Sequence, residues 1–291
     1  MSELSINLQS SILCGPTDFT VVLPNPKVGN NAGEYYSSGK KYKVLWLLHA
    51  GLGDRHDWLR NTNIAYYAQE REFIIVVPNG LNSDFANHPQ FADGYNFCDF
   101  FFDELMPFVY NWLPASDDPA DNYLAGFSMG GAAAWMYGLL HPKKFNAIVP
   151  LSSPPRNYQF LDEHRNMSAS LFRSMLTADR KTFPSGYGNP KNGMLVKEIN
   201  MISKYNTVGD FLDSMECTWE RFREVVEAGK LPDIFMLCGR GERGFPKIEK
   251  FKEYAESLGV TNITYDFVEG EGHSYLFWND LVPKMLDYLK L

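Results

Sequence analysis

The feature that most constrains this chain is the stretch "NYLAGFSMGGAAAW", residues 122–135. An apolar run leads into Gly126-Phe127-Ser128-Met129-Gly130, and a Gly/Ala-rich stretch follows. The pattern reads as strand, sharp turn, helix. A side chain at either flanking glycine would collide with the neighbouring strand or helix. Ser128 is thereby held at the C-terminal edge of a sheet, where ligands bind in open α/β folds. The helix N-terminus behind it favours developing negative charge. The plainer alternative is a Gly-Ser turn with a solvated serine. The five-residue pattern is common alone and informative only in this context, so the rest of the chain has to supply the sheet and the partners.

Apolar, β-branched runs bounded by turn residues recur at 18–26, 43–51, 72–80, 122–127, 145–153, 233–239 and 262–270. Several are apolar on both faces, as strands covered on both sides are. Helical patterns alternate with them, at 57–70, 99–113 and 246–259. In the last, Ile248, Phe251, Ala255 and Leu258 share a face, Pro246 suits the first turn and Gly259 the position past the end. This alternation predicts a mostly parallel central sheet of roughly eight strands flanked by helices. Residues 155–232 break the rhythm with helical spacing and a Gly/Pro-rich stretch, "TFPSGYGNPKNG". They predict a cap-like helical insertion between sheet strands, within one domain spanning 1–291.

Composition excludes some classes of function. With 27 Lys and Arg against 35 Asp and Glu the net charge is −8, and no basic block marks a nucleic-acid surface. No apolar run approaches a membrane span, and the first residues carry no basic or apolar leader, so a cytoplasmic protein is expected. The four cysteines have no metal-ligand spacing, and no G-x-G-x-x-G follows a strand, so neither metal nor cofactor is expected. The oligomeric state stays open, a homo-oligomer included.

A nucleophilic serine needs a base, and the base an orienting acid. In α/β enzymes built on this serine turn the chain order is Ser, acid, His. Of the six histidines only His164 and His273 follow Ser128, and His164 comes too early. His273, in "VEGEGHSYLFW", follows the last strand and is the candidate base. The loop after the 233–239 strand reads "GRGERGFP", and Glu242 is its only carboxylate. Asp162 and Glu163, one strand earlier, remain rivals for the acid. The oxyanion hole requires two backbone N–H groups. Met129 supplies one, and the "HAGLGD" loop the other, at Gly51 or Leu52. His49 in that loop reads as a holder of the loop rather than a base. Leu52, Trp58, Phe91, Tyr95, Phe127 and Trp278 lie near these motifs and are candidate pocket residues, with core packing as the alternative for each.

Taken together, "LWLLHAGLGDRHDWLRNTNIAYYA", "VVPNG", "FFFDELMPFV", "AGFSMGGAAAWMYGLLHPKKFNAIVPLSS", "LCGRGE" and "GEGHSYLFW" resemble the esterase D group of α/β-hydrolases, above all its tributyrin-esterase-like bacterial members. The resemblance spans nearly the whole chain. It implies the α/β-hydrolase fold and a serine carboxylesterase acting on short-chain acyl esters, a small-molecule substrate, with acetylated or feruloylated sugars in some members. It carries Ser128 over as nucleophile, His273 as base, and Gly51 with Met129 as oxyanion donors. Two positions depart from the group: Ala50 stands where glycine is usual, and Glu242 where aspartate is usual. An acyltransferase or an S-formylglutathione hydrolase on the same fold is the alternative, and a catalytically silent binding module the second.

Overall fold

The computed structural model describes every residue except 92–93, 178–195 and 271. Eight strands form one sheet: β1 (Ser2–Ser10), β2 (Gly15–Leu23), β3 (Val44–Leu48), β4 (Ile74–Pro78), β5 (Asn122–Phe127), β6 (Ala147–Leu151), β7 (Asp233–Gly239) and β8 (Ile263–Val268). Their order is β1-β2-β4-β3-β5-β6-β7-β8. β1 and β2 are antiparallel, β2 runs antiparallel to β4, and β3 to β8 are mutually parallel. This is the α/β-hydrolase architecture expected from the alternating pattern. Strands 122–127 and 233–239 have the expected bounds, and most others fall within them. β1 is an addition. Its Leu4, Ile6 and Leu8 alternate with exposed polar residues, a period-two signal that the reading of the first residues passed over.

The central strands are buried on both faces, and alternate residues feed two cores. Val44, Trp46 and Leu48 enter one, Leu45 and Leu47 the other. Two expected helices are subdivided. Residues 57–70 form Asp57–Asn61 and Ile64–Arg71, with a break at Thr62 in extended conformation. Residues 99–113 contain a π-helical turn, Phe100–Leu105, running into Met106–Trp112. Pro107 sits at that junction and has no N–H to give to the preceding turn, which accounts for the change of helical register there.

Among the described residues, 155–232 form helices and turns joined by one isolated bridge, Ser168–Thr207, with no strand. They hold an apolar cluster of their own, including Tyr158, Phe172, Ile202 and Phe211. The "TFPSGYGNPKNG" stretch, 182–193, lies outside the described residues.

The chain leaves β3 toward β4 on one side, then returns to place β5 on the other. This reversal leaves a crevice at the C-terminal ends of β3 and β5, the position where open α/β sheets bind ligands. Gly51 follows the first of these strands and Ser128 the second.

Candidate active site

Ser128 occupies the turn between β5 and the helix Met129–Leu140, with φ +56° and ψ −108°. A non-glycine residue in that region costs on the order of 1–3 kcal/mol and persists only where its surroundings enforce it. Here the enforcement is steric. A Cβ on Gly126 would lie 2.2 Å from the Gly130 carbonyl oxygen, and one on Gly130 would lie 2.3 Å from that of Leu48. The helix therefore packs directly on the strand ends, and Ser128 is pushed outward. Its N–H donates to the Leu151 carbonyl at 3.0 Å, fixing the turn against β6.

Glu242 lies on the turn after β7, with its side chain 2% exposed. One carboxylate oxygen accepts from the Gly239 N–H (3.0 Å) and the Ser152 hydroxyl (2.5 Å). The other is 2.9 Å from Nδ1 of His273. Burial alone would raise the Glu242 carboxyl pKa, but hydrogen bonds from His273, Ser152, Gly239 and Cys238 outweigh it and hold the group below its ordinary value. An ionised carboxylate only accepts, so Nδ1 donates and Nε2 is left as the basic nitrogen. Close approach of the two loops makes this pair possible. A Cβ on Gly272, which has φ +74°, would lie 2.5 Å from the Glu242 carboxylate. The His273 ring packs on Phe127, the residue before Ser128, with centroids 4.8 Å apart. Among the described residues the Ser128 hydroxyl makes no hydrogen bond, to His273 or otherwise; catalytic bonds in unliganded sites are often long and tighten only with substrate. The rivals for the acid are engaged elsewhere: Asp162 pairs with Arg165 at 3.0 Å, and Glu163 with His164 at 3.5 Å.

The loop after β3 is held from several sides. His49 is fully buried; its Nδ1 donates to the Ala50 carbonyl (2.8 Å) and its Nε2 accepts from the Gly80 N–H (2.9 Å). Burial lowers its pKa, so it is a neutral brace, in keeping with a loop-holding role. The Ala50 N–H donates to the Tyr275 hydroxyl at 3.2 Å. The Leu52 N–H is taken by the Asn82 side chain at 2.6 Å. Among the described residues the N–H groups of Gly51 and Met129 have no partner, and a Cβ placed on Gly51 would lie 4.0 Å from that of Met129.

A cavity of about 490 Å³ opens beside Ser128. Its lining includes Met129, Ala132, Ser152, Pro155, Arg156, Tyr158, Phe160, Trp219, Lys247 and Lys250. None of the six pocket residues expected from the sequence lines it. Trp58 and Trp278 are core: both are fully buried or nearly so, and the Trp58 indole N–H donates to the Leu48 carbonyl. Phe127 is buried behind His273, against Tyr275 and Trp278. Phe91 and Tyr95 are exposed, with their rings in tilted contact 4.6 Å apart beside His88. Leu52 is exposed with φ +65°. Proximity to a motif in sequence selected residues beneath the site, whereas the cavity is walled by the segment after β6 and the insertion. Ser152, which sequence reasoning missed, sits in "LSSPPR" with φ +55° and no motif to mark it. A second cavity, of about 450 Å³, lies within residues 156–224 and touches none of the candidate triad.

The family model named Esterase, described as "Putative esterase", matches residues 17–287. The chain belongs to this esterase family. As a member it is an enzyme acting on carboxylic ester bonds. It is 24% identical to an acetyl esterase of Caldicellulosiruptor saccharolyticus over 99% of this chain and 98% of that protein. Its fold is similar to that of a fluorophosphonate-binding serine hydrolase of Staphylococcus aureus, with a TM-score of 0.73 at 22% identity, covering 99% of this chain and 98% of that one. An S-formylglutathione hydrolase of the same organism gives 0.72 at 21% identity, covering 99% and 98%. Among the described residues no helix is long and apolar enough to cross a membrane.

Proposed function

We propose that the chain is a serine carboxylesterase of the esterase D, tributyrin-esterase-like type, hydrolysing short acyl esters through an acyl-enzyme, with acetylated or feruloylated sugars as candidate substrates. Ser128 Oγ attacks the ester carbonyl and passes its proton to Nε2 of His273. Glu242 fixes the imidazole tautomer and stabilises the imidazolium. The N–H groups of Met129 and Gly51 receive the oxyanion. His273 then protonates the departing alcohol, and water, deprotonated by the same imidazole, releases the acid. Residues 155–232 act as the cap over this site.

The observation that carries the reading is the Glu242–His273 pair, a buried carboxylate holding an accessible imidazole, beside a serine turn that sterics force outward. The full-length likeness to an acetyl esterase supports a small acyl group. The test is a panel of p-nitrophenyl esters from acetate to octanoate, with methyl ferulate and acetylated xylan, run on the chain and on Ser128→Ala. Turnover of the short esters that disappears in Ser128→Ala is expected. Equal turnover by both proteins would overturn the reading.

A further inference from the structure

The cavity beside Ser128 has an unusual charge for this molecule. The chain carries a net −8, yet among the described residues no Asp or Glu lines this cavity, while Arg156, Lys247 and Lys250 do. The Arg156 charge is already balanced, by Asp84 at 2.6 Å and Glu216 at 3.3 Å. Glu242, the nearby acid, is committed to His273. Lys247 and Lys250 are different. They lie one turn apart on the helix Phe245–Ser257, are exposed, and among the described residues form no ion pair. Lys247 also stands in the first turn of that helix, where the macrodipole disfavours a cation, and that turn holds no acidic residue to offset it. The rest of the lining is largely apolar, from Ala132 and Pro155 to Phe160 and Trp219.

We propose that the ester turned over here carries an anionic group, a carboxylate being the simplest, which Lys247 and Lys250 attract while the carbonyl sits at Ser128. This rests on the esterase reading and narrows its substrate class. Apolar walls hold the body of the ester, and the two ammonium groups select its charged end.

Two matched pairs of substrates distinguish an anion on the acyl side from one on the alcohol side. The first is mono-p-nitrophenyl adipate against its methyl ester; the second is 4-acetoxybenzoate against its methyl ester. The readout is the ratio of kcat/KM, anionic over neutral, at low ionic strength. A ratio on the order of 10 or more is expected in at least one pair. It should fall toward about 1 in Lys247→Gln/Lys250→Gln, persist in Lys247→Arg/Lys250→Arg, and shrink in high salt. Both side chains are exposed, so folding is not at stake. Turnover of the neutral esters with a ratio at or below about 1 in both pairs overturns the inference and leaves the esterase reading standing. A ratio that survives the glutamine substitutions overturns it as well. If p-nitrophenyl acetate is not turned over above the Ser128→Ala level, the esterase reading falls and takes this one with it.

Discussion

The sheet edge and the segment between β6 and β7 wall the same cavity and are built on different principles. At the sheet edge, position is enforced by backbone against backbone: Gly126 against Gly130, Gly130 against Leu48. Nothing there can move without a strand moving. The segment between β6 and β7 instead packs partly on an apolar cluster of its own and partly, through Phe222 and Val225, into the core under the sheet, and charge ties it to the loop after β4. Arg156 and Lys204 from the insertion meet Asp84, on the loop after β4, and Glu216, which also accepts from the Tyr205 hydroxyl. In the proposed mechanism the first region fixes the reacting atoms and the second shapes what reaches them. A steric constraint writes glycines into the sequence at fixed spacing. A charge cluster drawn from positions 84, 156, 204 and 216 writes no local pattern.

The largest expected effect breaks the comparison at its rigid side. Ser128→Gly should abolish ester turnover, a loss of 10⁴-fold or more in kcat as an order of magnitude for a triad nucleophile. It should also raise stability, by about 1 kcal/mol, because glycine adopts φ +56° without strain. Thermal melting alongside the assay checks both; a variant that is inactive and less stable would mean that the turn is not strained.

Next is Glu242→Gln. The amide keeps the shape but favours the wrong imidazole tautomer, with an expected loss in kcat of about 10³–10⁴-fold. The same group links folding to pH. Its folded pKa lies below its unfolded value, so the stability that it contributes is present above the ordinary carboxylate range, near 4.3, and is lost as pH falls through the depressed folded value. Denaturant midpoints measured from pH 6 downward should fall less steeply in Glu242→Gln than in the parent. Parallel curves would show that the carboxylate is not held low.

Much of the rigid side was legible before any coordinates. The order of serine, acid and histidine narrowed the base to His273 and favoured for the acid the one carboxylate of "GRGERGFP", with Asp162 and Glu163 left as rivals. Physical constraints made that possible: strand ends, loops and a fixed chain order leave few positions. What stayed hidden belongs to the other principle. The pocket residues were drawn from neighbours of motifs, yet Trp58 and Trp278 neighbour the motifs because they support them from below. Arg156, Lys247 and Lys250 reach the cavity from segments with no motif, and only the tertiary arrangement brings them to Ser128.

The softer side is tested by Asp84→Asn. Asp84 is 2% exposed, and neutralising it leaves two cations facing one carboxylate. Breaking a buried pair in this way costs about 3–5 kcal/mol. Hydrogen exchange in Val208–Leu212 and Thr218–Glu227 should accelerate, with β5 and β6 little changed. Acceleration spread evenly through the sheet would show that the two regions open as one and erase the distinction.

The smallest expected effect lies where the regions meet, at Ser152. It follows β6, lines the cavity, and its hydroxyl donates a hydrogen bond to the Glu242 carboxylate oxygen that also accepts from Gly239. Like Ser128 it stands at positive φ, here +55°, where a non-glycine residue is strained. Two serines at adjacent strand ends thus keep side chains that their backbones disfavour, one proposed to attack and one to orient the acid. Removing the second should cost less, because Gly239 and His273 still hold the carboxylate. A lost hydrogen bond to a charged group is worth about 1.5–3 kcal/mol, an upper bound on what kcat can lose, so a fall of about 10-fold is expected in Ser152→Ala. Denaturant midpoints should also fall less steeply below pH 6 than in the parent, because one of the bonds lowering the Glu242 pKa is gone. Ser152→Gly should lose the same activity while melting higher than Ser152→Ala, since it sheds the strain. If kcat is unchanged and only KM rises, Ser152 acts through the cavity wall and not through Glu242.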